Sequence, residues 1–93
     1  MVVGILTVEL YIGEANSLKE KRRVLKSLID RIKVRFNVSI AEVGEMDAWQ
    51  RSVVGISFVS NEQAHVSRVL AAVVSFIEQQ GAVQLIDFQT ELL

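Results

Sequence analysis

Cysteine and proline are both absent from this sequence, and histidine occurs once. The lack of cysteine excludes disulfides, thiolate-ligated zinc sites and a cysteine nucleophile. The single histidine, His65, leaves no histidine pair with metal-ligand spacing, and neither GxGxxG nor GxxxxGK[ST] is present. We therefore expect a protein that is not an enzyme, has no catalytic residues and binds neither a metal nor a cofactor.

Long apolar runs are missing as well. The first twelve residues, MVVGILTVELYI, are mostly apolar, but they contain Glu9, have no basic leader and are too short to span a bilayer. We expect a cytoplasmic protein with no membrane contact. The 93 residues, 51% of them hydrophobic, predict one small folded domain over residues 1–93.

Two periodicities in the apolar residues predict the secondary structure. Alternation predicts strands over residues 2–12, 37–45, 51–60 and 82–92, and 3.6-residue spacing predicts two intervening helices. The first helix follows a capping box, Ser17-Leu18-Lys19-Glu20, and runs to about Phe36. We expect Ser60 or Asn61 to cap the second helix and Gly81 to end it.

The resulting order, β-α-β-β-α-β, predicts an α+β ferredoxin-like sandwich. Its four-stranded antiparallel sheet has the order 4-1-3-2, and both helices lie on one face. The other face is predicted to be open and apolar, with Val3, Ile5, Val53 and Val59 on its central strands. Monomers rarely expose such patches, so we expect a homodimer, formed through this open face or through an edge strand.

Positive charge is concentrated in one segment, SLKEKRRVLKSLIDRIKVR, although the net charge of the chain is -1. At about 100° per residue, five basic residues form a stripe on one flank of the first helix: Lys19, Arg22, Arg23, Lys26 and Lys33. Arg31 and Arg35 lie on the opposite flank, and Lys21 borders the apolar face. A stripe with so few acidic neighbours indicates contact with a polyanion or an acidic protein, or else a solvated helix exterior.

Aromatic residues offer little support for RNA binding on the sheet. RNA recognition modules with this topology stack bases on aromatics of the central strands, whereas here Tyr11 ends the first strand and Phe58 faces the helices. Trp49, in the predicted hairpin loop GEMDAWQ, is either a packing residue or a recognition residue. Glu42, Glu45 and Asp47 around that hairpin are interpreted as a solvated acidic loop or as partners of the basic helix.

The helix opening SLKEKR and the block NVSIAEVGEMDAWQRSVVGISFVS resemble the YlxP-like family of small bacterial proteins of unknown function. The resemblance covers nearly the whole chain and implies a ferredoxin-like fold. In some bacteria the family's gene lies beside those of translation initiation factor two and ribosome-binding factor A, which implies a role near the ribosome. No catalytic residues are established for the family, so the resemblance implies none here.

Two hypotheses of function remain from the sequence. The first is a non-enzymatic protein that docks its basic helix on RNA or a ribosomal surface, through Lys19, Arg22, Arg23, Lys26, Lys33 and Trp49. The second is a dimeric regulatory or assembly module that binds a small ligand or a protein partner.

Overall fold

The computed structural model describes residues 1–93 and contains the six predicted elements in the predicted order. These are β1 (Val2–Tyr11), α1 (Leu18–Arg35), β2 (Ser39–Gly44), β3 (Arg51–Ser60), α2 (Gln63–Glu78) and β4 (Gln84–Leu92). The sheet has the order β2-β3-β1-β4, and all neighbouring strands are antiparallel. The predicted ferredoxin-like α+β fold is confirmed.

The core lies between one face of the sheet and the two helices. Leu6, Val8 and Leu10 of β1 are completely buried, whereas the alternate residues Thr7 and Glu9 are not. Their side chains pack in one cluster with residues of α1 (Leu25, Leu28, Ile32) and α2 (Val66, Leu70, Val73, Ile77). The alternating apolar residues of the strands and the apolar stripes of the two helices therefore pack against each other in a single layer, as amphipathic elements require.

The beginning of α1 follows its predicted capping chemistry with one change. The hydroxyl of Ser17 accepts a hydrogen bond from the backbone N–H of Glu20 at 3.1 Å. The carboxylate of Glu20 reaches back one residue further than expected and accepts from the N–H of Asn16 at 2.9 Å. One backbone donor that the helix leaves unpaired, that of Glu20, and one in the preceding connection, that of Asn16, are thereby satisfied.

Both ends of α2 differ from the prediction. Its N-cap is Glu62, which makes no side-chain capping bond, and the hydroxyl of Ser60 accepts from the N–H of Glu62 instead. The helix ends at Gln79 in right-handed backbone, and Gly81 lies beyond it without a positive φ. The predictions of an Asn61 cap and a Gly81 stop were wrong. The N-cap is one residue later than Asn61, and the last turn of α2 closes with backbone bonds from Gln79 to the carbonyl of Phe76 at 3.2 Å and from Gln80 to that of Ile77 at 3.0 Å, without a left-handed glycine. Neither helix is long and apolar enough to cross a membrane.

We predict that Ile32→Ala lowers the free energy of unfolding by about 2–5 kcal/mol, as truncation in a packed core does. Ile32 is completely buried, whereas Val34, two residues later on the same helix, is 91% exposed. The matched control Val34→Ala is expected to change stability by less than about 0.5 kcal/mol. Urea denaturation measures both values, and equal losses in the two variants would contradict the observed orientation of α1.

Candidate functional site

Five basic side chains lie together on one side of α1, and we call them the basic flank: Lys19, Arg22, Arg23, Lys26 and Lys33. All five are exposed. The other two arginines of α1 face α2, since Arg31 hydrogen-bonds to the side chain of Gln80 and Arg35 lies 5.4 Å from the centroid of the Phe76 ring. The basic flank is therefore on the side of α1 that points away from α2 and towards the β2 edge of the sheet.

The basic flank is almost free of neutralising partners. Lys26 pairs with Asp30 at 2.8 Å, and the other four residues form no ion pair. Both partners of that one pair are well exposed, at 77% and 56%, where such pairs contribute about 1 kcal/mol or less. Most of the positive charge on this flank is consequently available to an external anion.

The spacing of like charges within the basic flank also lowers the stability of α1. Lys19 and Arg23, and likewise Arg22 and Lys26, are like-charge neighbours four residues apart. Each such pair destabilises a helix by roughly 0.2–0.5 kcal/mol. Lys19 moreover lies in the first turn, where the helix dipole disfavours a cation. A helix exterior that only had to be soluble needs none of these unfavourable contacts.

Lys21 has a role that the sequence analysis missed. Its side chain is completely buried, and its ammonium group lies 3.0 Å from a carboxylate oxygen of Glu42. The same group donates to the backbone carbonyls of Glu45 and Ala48, each at 2.7 Å, and to that of Met46 at 3.4 Å. Because a buried charge is tolerated only when it is paired and hydrogen-bonded, this full set of acceptors explains how Lys21 can be in the core.

The sequence contained a signal for this role. Lys21 lies four, seven and eleven residues before Leu25, Leu28 and Ile32, which places it on the buried stripe of α1 and not merely beside it. Glu42, interpreted as part of a solvated acidic loop or as a partner of the basic helix, is only 20% exposed and pairs with Lys21 of that helix. Its carboxylate also accepts a hydrogen bond from the hydroxyl of Ser52 at 2.7 Å.

The loop between β2 and β3 is held against the start of α1 by this network. Glu45 has the left-handed backbone conformation, with φ of 57°, and its carbonyl is one of the acceptors of Lys21. On the other side of the loop, the side-chain amide of Gln50 donates to the carbonyls of Gly13 and Ala15, at 3.0 and 3.2 Å. The hairpin loop, the β1–α1 connection and the first turn of α1 therefore form one unit.

That unit exposes two large apolar side chains, Trp49 at 56% and Met46 at 53%. Trp49 directly follows Ala48, whose carbonyl is bonded to Lys21, so Trp49 lies at the same end of α1 as Lys19 and Arg22. Lys33 lies at the other end of the helix. Trp49 is thus exposed on the loop that packs against the first turn of α1, where an aromatic side chain is available for stacking.

The fold and this surface define a small ferredoxin-like α+β domain in which four of the five residues of the basic flank have no acidic partner. Residues 3–90 match the model of a family described as "Protein of unknown function (DUF503)". The chain is also 39% identical over 90 residues to the "Uncharacterized protein YlxP" of Bacillus subtilis (strain 168), with 97% of this chain and 98% of that protein covered. The chain therefore belongs to the DUF503 family, and the YlxP-like resemblance is confirmed.

A solved structure with the same architecture is the "De novo designed protein Foldit4". Its TM-score is 0.55, with 100% of this chain and 97% of that chain covered, at 12% sequence identity. At that identity the likeness concerns the fold alone.

We predict that Lys21→Met lowers the free energy of unfolding by about 3 kcal/mol, since it leaves Glu42 without its cation and three backbone carbonyls without the donor they share. The double variant Lys21→Met/Glu42→Gln is expected to be less destabilised than the sum of the two single variants, because each single change already breaks the pair. Trp49 is the only tryptophan, so its fluorescence anisotropy should fall in Lys21→Met as the loop loosens. Unchanged anisotropy together with unchanged stability would contradict a role for Lys21 in holding the loop.

Proposed function

We propose that this protein is a non-enzymatic RNA-binding protein whose basic flank docks on the phosphate backbone of RNA at a ribosomal surface. The observation that carries the proposal is the basic flank itself: five exposed cations on one side of a rigid helix, of which only Lys26 has an acidic partner. The gene neighbourhood noted above for YlxP-like proteins agrees with this setting.

The dimensions of the basic flank suit a nucleic-acid backbone. Lys19 and Lys33 are fourteen residues apart on α1, which corresponds to about 21 Å along the helix axis. At one charge per roughly 3.4 Å on each strand of a duplex, that length faces about six phosphates. The helix is fixed on the core by Leu25, Leu28 and Ile32, so the array of cations is preorganised.

The rest of the molecule favours one orientation on a polyanion. Most of the acidic residues lie outside α1, and Asp87 and Glu91 lie on β4, at the edge of the sheet opposite β2 and the basic flank. Repulsion between these carboxylates and phosphate turns the basic flank towards the ligand. Trp49 adds an aromatic surface at one end of the flank, where an unpaired base can stack. This aromatic is what favours RNA over an acidic protein as the partner.

We predict that binding to a single-stranded RNA is strongly salt-dependent and is lost on charge reversal of the flank. If all five cations neutralise phosphates, log K against log salt should have a slope of about -3.5 on single strands. The variant Arg22→Glu/Lys33→Glu should flatten this slope to about -2 or less, since at least two phosphate contacts are removed. Fluorescence anisotropy of a labelled RNA measures both quantities.

A charge-matched control tests whether position matters. Arg51 and Arg68 are the two basic residues outside α1, and Arg51→Glu/Arg68→Glu changes the net charge by the same amount. We expect this control to bind nearly as well as the wild type. Equal weakening by both double variants would show that only total charge matters. Partner retention from lysate that ribonuclease does not reduce would point to an acidic protein surface instead.

We predict that Trp49 contributes by stacking. Its fluorescence should be quenched when RNA binds, and Trp49→Ala should weaken binding by about 1–3 kcal/mol. Trp49→Phe, which keeps an aromatic face, should retain most of the affinity. Because the side chain is exposed, the melting temperature should change little in either variant. Unquenched fluorescence at saturating RNA would remove Trp49 from the interface and leave the basic flank alone.

A further inference from the structure

The edge strand β4 is unusually unprotected. Its nine residues, Gln84–Leu92, are all exposed except Leu85, which is half-buried. Three of them are large and apolar, with exposed fractions of 43% for Ile86, 46% for Phe88 and 40% for Leu92. Proteins usually protect such edges with charged side chains, lysine above all, with proline, with a bulge or with a short strand. β4 is nine residues long, has no lysine or proline, and its charges are Asp87 and Glu91. The one irregularity is a bulge, which leaves Ile86 unpaired between the partners of Glu9 and Leu10.

An apolar groove of about 430 Å³ runs beside this edge, between α2 and β4. Its lining includes Leu70, Ala71 and Val74 from α2, and Phe88 and Leu92 from β4. Since Leu70 also packs over Gly4 in the middle of the sheet, α2 leaves the helix-side face of β4 partly uncovered. An open strand edge next to an apolar groove is the arrangement to which a further β-strand can add.

The backbone groups of β4 that point outwards can be identified from its pairing with β1. Val3 and Leu93 exchange both backbone hydrogen bonds, at 3.0 and 2.8 Å. Alternation in an antiparallel ladder then turns the backbone groups of Gln89 and Glu91 towards β1, and those of Phe88, Thr90 and Leu92 away from the sheet. The N–H of Phe88 agrees, because it donates to the side chain of Asp87 at 2.8 Å and not to a strand.

The outward-pointing N–H and C=O groups of β4 can pair with the same groups of a second copy when a two-fold axis passes through one residue of the strand. The bulge at Ile86 leaves residues 87–93 as the regular part of the strand, and Thr90 is its middle. A two-fold axis there pairs Thr90 with its own copy and Phe88 with the partner's Leu92. Three such pairs exchange six backbone hydrogen bonds, and two apolar pairs lie across the closed groove.

Neighbouring registers fit less well. An axis at Gln89 would set Asp87 opposite Glu91 of the partner subunit, and like charges directly opposed across strands are destabilising. An axis at Phe88 would bring Ile86 into the new ladder, and the bulge at this residue interrupts the alternation of backbone groups that the ladder requires. With the axis at Thr90, Glu91 instead faces the partner's Gln89, to which it can hydrogen-bond.

We propose that the occupant of the β4 edge is a second copy of this chain, paired antiparallel about a two-fold axis at Thr90. The dimer has a continuous eight-stranded sheet, and the α2 helices of the two protomers cover Phe88 and Leu92. Formation of the ladder releases the N–H of Phe88 from Asp87 to the partner strand. This assembly does not depend on RNA binding, because β2 and β4 are at opposite edges of the sheet.

A single introduced cysteine tests this arrangement, because the chain has none of its own. In a hydrogen-bonded antiparallel pair the Cα atoms are about 5.5 Å apart, within the range of about 4.4–6.8 Å that a disulfide needs. We expect light scattering of the wild type at tens of micromolar to give twice the 10.4 kDa chain mass. Mild oxidation of Thr90→Cys should give a covalent dimer of that mass, and oxidation of the open-face control Ser57→Cys should not.

A second variant removes only the outward hydrogen bond. Thr90→Pro deletes an N–H that no strand of the monomer uses, and proline is tolerated on edge strands for this reason. We expect it to yield a monomer with the circular dichroism spectrum of the wild type. A wild-type monomer at tens of micromolar, or a dimer that cross-links through Ser57→Cys and not through Thr90→Cys, overturns the proposal.

Discussion

The ammonium group of Lys21 makes the contacts on which the arrangement of the hairpin loop and the start of α1 depends. It joins the first turn of α1 to β2 through Glu42 and to the hairpin loop through the carbonyls of Glu45 and Ala48. Removing a charge from water is costly, and the cost is offset only because every donor of the group has an acceptor. An apolar residue at this position could fill the space but could not hold the loop. The position of Trp49 relative to the basic flank therefore follows from a buried polar network and not from the hydrophobic core.

The unpaired positive charge lies on one flank of α1 because of the way this helix is oriented on the core. One stripe of the helix faces the core and ends in Lys21, and the flank towards α2 is occupied through Arg31 with Gln80 and Arg35 with Phe76. Only the flank towards β2 is left for an external ligand. In the proposed dimer the β2 strands are seven strand spacings apart, about 34 Å, so the two basic flanks lie at opposite ends of one sheet. A single RNA long enough to reach both ends would bind the two flanks at once and therefore more tightly, whereas short RNAs would bind the two flanks independently.

The fold was predictable because it rests on local patterns that the tertiary structure does not oppose. Alternation in β1 and the Ser17 capping box located their elements to within a residue or two, and connection rules then fixed the sheet order. Lys21 was not recognised as buried because its acceptors are on a loop more than twenty residues away. The helix end at Gln79 likewise follows from a tight last turn, with backbone bonds from Gln79 to Phe76 and from Gln80 to Ile77, which the glycine at position 81 does not reveal. The register that makes Thr90 a centre of symmetry comes from a bulge in the pairing of β4 with β1, which the alternation within β4 alone does not contain.

A designed protein that is only 12% identical in sequence has the same architecture, so this architecture does not require particular residues at most positions. The informative features are those that the fold does not need and that work against its stability. Like charges four residues apart on α1, a tryptophan exposed on a tightly held loop and a nine-residue edge strand without lysine or proline all fall in this class. Each is unfavourable for an isolated monomer in water, and each becomes favourable when an anion, a base or a second strand is bound. Because the unfavourable features lie on two opposite edges of the sheet, they support the two contacts proposed above as separate ones, with a polyanion at α1 and with a second copy of the chain at β4.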